Sequence, residues 1–288
     1  MNGTLVRGIG SFYTVDVGGK QVTCRAQKKL RRTGAPLVGD QVRISLQEGS
    51  EEGWIEEILP RKNQLERPAV ANVDLLLLVI APLPQPDLLL VEKLILRARM
   101  AGILPAICVN KRDLGGDLAG EILRGYQDTG LEVFDACART GEGTQALRSR
   151  MEGKLTCLAG QSAVGKSSLI NRMFGTELET GGLSRKTDRG RHTTRRAELW
   201  DFGGTLVMDT PGFSLLETGL VDPDTLTDYF PEYRELGAQC RFQPCFHMSE
   251  PGCAVRRGVE KGQLGALHWQ NYRRMAEEIR QTWRERYQ

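Results

Sequence analysis

Three textures of apolar and polar positions succeed one another along the chain. Over the first 67 residues the apolar positions alternate with polar ones in short runs, "GTLVRGIGSFYTVDV", "QVTCRA", "VGDQVRISLQ" and "EGWIEEILP", broken by turns such as "GGK". Successive side chains of a strand point to opposite faces, so this alternation predicts short half-buried strands. Five of them in this length predict an OB-like β-barrel. From residue 72 the alternation gives way to continuous apolar runs, "VDLLLLVIA", "LPAICVN", "LEVFDACA", "KLTCLAG" and "GTLVMDTPG", separated by helical patterns near 90–101 and 117–129. Strands buried on both faces and alternating with helices predict an α/β domain with a largely parallel sheet. The stretch "LSRKTDRGRHTTRRAE" is basic and aperiodic and reads as a loop. Beyond residue 218 come a linker rich in Pro and Asp, a cysteine cluster and a terminal helix over about 264–286. The expected organisation is therefore multidomain, divided as 1–67, 68–218 and 219–288.

Composition narrows the class. With 288 residues the chain can bury more than one core. The start "MNGTLVRGIG" has no charged and apolar pattern of a secretory signal, and the apolar run at 75–81 is too short to span a bilayer, so a cytoplasmic protein without a membrane is expected. Its 7 cysteines fit reduced thiols or metal ligands better than a disulfide framework. The net charge of +3 lies entirely at the front: residues 1–67 hold 11 Lys and Arg against 8 Asp and Glu, and the remainder is balanced. Arg25, Lys28, Lys29, Arg31 and Arg32 crowd the longest irregular stretch of the barrel, which reads either as a solvated loop or as an RNA contact.

The segment Gly160, Gln161, Ser162, Ala163, Val164, Gly165, Lys166, Ser167 matches GxxxxGK[ST] after an apolar run and before a helical one, with Ser168 continuing it. Glycines there allow backbone N–H groups to face phosphates, Lys166 can neutralise the outer phosphates, and the Ser167 hydroxyl can ligate Mg²⁺. "DTPG" places Asp209 at a strand end, where its carboxylate can reach that metal, and lets the Gly212 N–H approach the terminal phosphate. "NKRD" supplies Asn110, Lys111 and Asp113. A carboxylate at Asp113 can accept two parallel hydrogen bonds from guanine, whereas adenine presents a mismatched edge. A second base-contacting loop is expected at Cys137, Ala138 and Arg139, mainly through backbone, though Cys137 reads equally as a small core residue. GTP is the expected nucleotide.

These motifs come in an unusual order, because "NKRD" precedes the phosphate loop. In open α/β sheets ligands bind outside the carboxyl ends of the strands, so loops reach one crevice whatever their order in the chain. Joining the ends of such a domain and opening it elsewhere leaves the site intact, and the order predicts a circularly permuted P-loop GTPase domain.

Phe213 stands where many small GTPases carry a water-positioning Gln, so slow intrinsic hydrolysis is expected. In the basic loop, Thr193 or Thr194 can complete the Mg²⁺ shell and His192 could position water, while Arg189, Arg191, Arg195 or Arg196 could instead stabilise transition-state charge or bind RNA phosphate. Cys240, Cys245, His247 and Cys253 form C-x4-C-x-H-x5-C, a set that suits one structural Zn²⁺. Cys24, Cys108 and Cys157 read as core residues and His268 as an ordinary position of the terminal helix.

With "RKNQLERPAVANVD", "NKRD", "GQSAVGKSSLIN", "GRHTT", "DTPGF" and the cysteine cluster in this order, the whole chain resembles the bacterial family of ribosome small subunit-dependent GTPase A. The resemblance implies an OB barrel, a permuted GTPase domain and a zinc-binding, mostly helical tail. It further implies GTP hydrolysis stimulated by the small ribosomal subunit at a late assembly checkpoint, with the subunit and its rRNA as partners and His192 as the water-positioning residue. A monomer is the expected form. The alternative is a nucleotide-gated rRNA-binding module whose turnover is incidental. Two positions depart from the family pattern, Ala163 where Gly is usual and Cys137 where Ser is usual.

Overall fold

The computed structural model describes residues 1–27, 30, 34–46, 52–65, 69–178, 199–209 and 221–287. Lys28, Lys29, Arg31, Arg32, Arg189, Arg191, His192, Thr193, Thr194, Arg195, Arg196, Gly212 and Phe213 lie outside them, and Asp209 is described through its backbone alone.

The alternating front segment folds into β1 (Asn2–Ile9), β2 (Phe12–Val17), β3 (Lys20–Ala26), β4 (Gln41–Leu46) and β5 (Glu52–Ile58). They close in the order β1-β2-β3-β5-β4, with β4 returning to β1 and only the β3–β5 pair parallel. That is the OB order, and the positions the alternation turns inward, among them Leu5, Val15, Val22, Cys24, Val42, Ile44 and Ile55, are buried. A short pair, β6 (Gln64–Leu65) with β7 (Val70–Ala71), follows the barrel. Arg61 reaches back to grip the buried Asp40 with two bonds, Nε to Oδ1 at 2.7 Å and Nη2 to Oδ2 at 2.8 Å, a paired geometry that satisfies a carboxylate removed from water.

The central sheet contains β8 (Leu75–Ile80), β9 (Leu104–Val109), β10 (Glu132–Asp135), β11 (Leu155–Ala159), β12 (Leu199–Asp201) and β13 (Leu206–Asp209) in the order β10-β9-β8-β11-β13-β12. All neighbours are parallel except β12 against β13. Every residue of β8 and of β11 is buried, as expected of strands covered on both faces. Among the described residues four helices accompany the sheet: α1 (Leu88–Met100), α2 (Leu118–Gly125), α3 (Thr144–Met151) and α4 (Lys166–Phe174). Asp87 starts α1 by accepting a hydrogen bond from Leu90 N at 3.0 Å. The pattern gave no sign of α3, whose eight residues bury only Thr144, Leu147 and Met151.

The tail is built from 3-10 turns at Pro223–Tyr229 and Pro231–Tyr233 and helices α5 (Arg234–Gly237), α6 (Ala254–Glu260) and α7 (Ala266–Tyr287). Its own core includes Phe230, Tyr233, Tyr272, Met275 and Ile279, joined by Leu96 of α1. Helix α1 thus packs on the sheet through Leu94 and Ile95 and on the tail through Leu96.

His268 is not an ordinary helix position. It is fully buried, with Nε2 at 2.7 Å from Glu232 Oε1 and Nδ1 at 2.6 Å from Glu92 Oε1, the second contact a close ion pair rather than an aligned hydrogen bond. Arg99 donates to Glu232 at 2.9 Å and Tyr126 OH to Glu92 at 3.0 Å. Burial alone would lower the His268 imidazole, but the facing charge of Glu92 and the bond to Glu232 outweigh it and hold it up at about 9. The helical period could not reveal this, since both carboxylates arrive from other elements.

Candidate functional site

The loops that follow β9, β10 and β11 meet at the carboxyl edge of the sheet. Asn110 joins them. Fully buried, it donates through Nδ2 to Val164 O at 2.9 Å and accepts at Oδ1 from Ala138 N at 3.1 Å. One side chain thereby ties the "NKRD" loop to the phosphate loop and to the loop of Cys137. The residues lie up to 54 positions apart in sequence.

Glycine is required where the phosphate loop crosses its neighbours. Gly160 has φ +139°, and a Cβ there would lie 2.1 Å from Val79 O; Gly165 has φ +95°, and a Cβ would lie 2.4 Å from Asn110 Nδ2. Gly165 then caps α4, whose dipole favours an anion at that end. Lys166 Nζ sits 3.0 Å from the carbonyls of both Gly160 and Gln161, at the rim of the loop. Ser167 and Ser168 continue the first turn of α4. Ser162 and Ala163 are exposed on the loop, and Val164 is buried beneath it. Ala163 has φ +64°, a left-handed conformation that costs a residue with a Cβ roughly 1–2 kcal/mol relative to Gly. An Ala at this position thus carries strain that a Gly would not.

Lys111 also adopts a left-handed conformation, φ 65°, and its Nζ donates to Leu83 O and to Ala163 O, each at 2.7 Å. Its stem is stretched along the gap between the base loop and the phosphate loop. Asp113 lies in a short 3-10 turn, Arg112–Leu114. Its two oxygens are held separately, Oδ1 by the Cys137 thiol at 3.0 Å and Oδ2 by Arg139 Nε at 3.0 Å. The thiol hydrogen bond, followed by the Arg139 charge, keeps the Asp113 carboxyl below its usual range despite some desolvation. The Cys137 side chain thus holds the Asp113 carboxylate from the neighbouring loop.

β13 ends at Asp209, in register with Leu158 of β11. The backbone of Asp209 therefore ends at the carboxyl edge of the sheet, on the strand next to the one the phosphate loop follows. A link that the pattern did not signal joins Gln161 to the start of α1: Asp87 N donates to Gln161 Oε1 at 2.9 Å, and Gln161 Nε2 donates to Gln85 O at 3.2 Å. A glutamine inside a loop motif carries no periodic signal, and its partners lie 74 and 76 positions away.

In the tail, the donor atoms of Cys240, Cys245, His247 and Cys253 all lie within 4.8 Å of one another, and all four residues are buried. Cys240 Sγ and Cys253 Sγ are each 3.7 Å from His247 Nδ1 and 4.0 Å from each other. Ligands arranged tetrahedrally at zinc distances are separated by about 3.5–3.8 Å, so this cage fits Zn²⁺. Backbone N–H groups of Ala254 and Arg256 donate to Cys240 Sγ and Cys253 Sγ, as a thiolate requires. Glu250 braces the ligand loop by accepting from the N–H groups of Phe246, Met248 and Ser249. Burial would raise its carboxyl, but these bonds hold it low. Trp269 Nε1 and Tyr272 OH bond the carbonyls of His247 and Phe246 and fasten the loop to α7. By contrast the thiols of Cys24 and Cys108 are plain core groups, pushed up by burial to about 11 and about 12.

Comparison with known proteins agrees with this geometry. Residues 58–219 match the family model described as RsgA GTPase, and residues 2–55 match the RsgA N-terminal domain. A small ribosomal subunit biogenesis GTPase RsgA from Caldanaerobacter subterraneus subsp. tengcongensis is 41% identical, with 100% of this chain and 98% of the relative covered. One from Geobacillus thermodenitrificans is 38% identical, with 97% of each covered. Among solved structures, YjeQ from Thermotoga maritima superposes with a TM-score of 0.81 at 31% identity, covering 96% of this chain and 98% of that one. YloQ, described as a circularly permuted GTPase, superposes at 0.77 and 30% identity, covering 98% of this chain and 95% of that one.

Proposed function

The chain belongs to the RsgA family of GTPases, and from that premise we propose that it hydrolyses GTP in the biogenesis of the small ribosomal subunit, with its turnover stimulated by the subunit at a late checkpoint. The observation that supports this best is Asn110, whose side chain joins the base loop to the phosphate loop across the permuted order. In this reading Asp113 reads the guanine edge, with Asn110, Lys111, Cys137, Ala138 and Arg139 shaping the base pocket. Residues 160–168 and Gly212 hold the phosphates. Mg²⁺ would be held by Ser167, Asp209 and Thr193 or Thr194, and when bound it neutralises charge on the phosphates. His192 positions the attacking water, since Phe213 offers no hydrogen bond for that purpose. The division at 67/68 and 218/219 belongs to the same reading, as do a cytoplasmic location and a monomeric form. No helix among the described residues is long and apolar enough to cross a membrane.

The test is GTP turnover with and without purified small subunits, with large subunits as control. Small subunits are expected to raise the rate at least tenfold, and His192→Ala to lose most of that stimulation with little change in nucleotide affinity. Binding that depends on nucleotide without stimulated turnover would instead favour an assembly module with incidental hydrolysis. For the tail we expect one zinc per chain by elemental analysis, and its loss in a Cys253→Ser variant. A parent protein purified without chelator and lacking stoichiometric zinc would reject that assignment.

A further inference from the structure

Both oxygens of the Asp113 carboxylate are taken by the protein's own side chains. The Cys137 thiol holds Oδ1, and Arg139 Nε forms an ion pair with Oδ2, each at 3.0 Å. Two other cations of these loops turn elsewhere. Arg112, next to Asp113 in the chain, reaches Asp135 at 3.4 Å and Glu142 at 3.3 Å, and Lys111 Nζ donates to the carbonyls of Leu83 and Ala163. The loop that carries Arg139 is pinned on both sides of it. Ala138 N donates to Asn110 Oδ1 at 3.1 Å, and Arg172 Nη2 of α4 donates to Thr140 O at 2.7 Å. The base site itself therefore fixes the backbone from which the guanidinium reaches the carboxylate.

Guanine would meet this carboxylate with a ring N–H and an amino group joined through one carbon, a planar donor unit of the same kind as a guanidinium. The two are alternatives for one acceptor. The thiol covers one oxygen and the Asp113 side chain is only 13% exposed, so Arg139 stands at the approach a base must use. Its own side chain is 75% exposed, and an exposed ion pair contributes little, so a base can displace it. We propose that Arg139 is an internal rival of guanine, pairing with the base-reading carboxylate whenever the base does not. The contact lowers affinity for guanine nucleotides and eases release of GDP, because a departing base leaves no carboxylate unpaired. The inference rests on Asp113 as the residue that reads the base. An arginine that lay over the base plane would act with the opposite sign, since its removal would weaken binding.

The test measures the affinity of the full chain for fluorescently labelled GDP at low salt and at about 0.5 M salt. Arg139→Ala is expected to tighten GDP binding about two- to fivefold at low salt, the range of one exposed ion pair, and the gain should shrink at high salt. Arg139→Lys, which keeps the charge, should stay nearer the parent. In an Asp113→Asn background the Arg139→Ala change should bring no gain, because the partner has lost its charge. Unchanged thermal unfolding of each variant establishes that the protein is folded. Weaker GDP binding by Arg139→Ala places the guanidinium over the base and overturns the rivalry. So does unchanged affinity, or a gain that persists in the Asp113→Asn background. If Asp113→Asn alone leaves GDP affinity unchanged, the base-reading role fails and the inference falls with it. If Asp113→Asn weakens GDP binding and Arg139→Ala does not tighten it, the rivalry alone is rejected.

Discussion

Replacing Asp113 by Asn is expected to reverse the base preference of the nucleotide site. Two charge-assisted bonds from guanine to one carboxylate contribute about 3 kcal/mol or more together, so GTP affinity should fall at least a hundredfold. A xanthosine nucleotide carries a carbonyl where guanine has its amino group, and the amide nitrogen that the Asp113→Asn change introduces can donate to it. The surroundings favour that orientation. The Cys137 thiol sits 3.0 Å from Oδ1 as a donor and so selects the amide oxygen, which turns the nitrogen toward the base. Arg139, on the other side, is 75% exposed at its side chain and can withdraw into water. Competition of unlabelled GTP and XTP against a fluorescent guanine nucleotide measures the change in both proteins. If XTP competes no better with the variant than with the parent, Asp113 does not read the base.

The second large effect concerns the charges buried between the central domain and the tail. His268→Ala would leave Glu92 and Glu232 facing each other, both essentially without exposure, and breaking a buried pair in this way costs about 3–5 kcal/mol. Arg99 remains to compensate Glu232, whereas Glu92 keeps only the Tyr126 hydroxyl. The same cluster predicts a pH dependence. Folding raises the His268 imidazole from 6.5 to about 9, so its contribution is fully present below pH 6.5 and is lost as pH rises through 9. A shift of this size corresponds to about 3 kcal/mol. Urea unfolding followed by tryptophan fluorescence between pH 6 and 10 tests it. The parent should lose stability across that window, and a His268→Gln variant, which has no charge to lose, should not. Parallel pH profiles for the two proteins would refute the assignment.

These two sites differ in how much of each was legible beforehand. At the nucleotide site, chemistry demands particular residue types at particular spacings: glycines where the chain turns left-handed against a neighbour, a lysine and a serine at a helix start, a carboxylate three residues after an asparagine. Such local requirements survive in sequence whatever the order of the strands. The support those motifs draw on was not legible. Asn110 could be assigned to the loop and base edge, but its bond to Val164 depends on β8 lying between β9 and β11. Gln161 could be counted in the phosphate loop, but its link to the start of α1 could not be foreseen. The cysteine cluster, compact in sequence, was legible because all its ligands fall within 14 consecutive residues.

His268 marks the other extreme. Its helix follows from the pattern, but its role does not, because Glu92 lies on α1 and Glu232 on a separate 3-10 turn.

What the sequence determined by itself was every property held within a few residues: the strand and helix periods, the phosphate and base motifs, the cluster of three cysteines and a histidine and the permuted order of the parts. The tertiary structure decided which of those residues touch. Side-chain partners far apart in the chain are chosen by strand order and helix packing, and the free energy that selects them is summed over whole buried faces, so no local pattern records the choice.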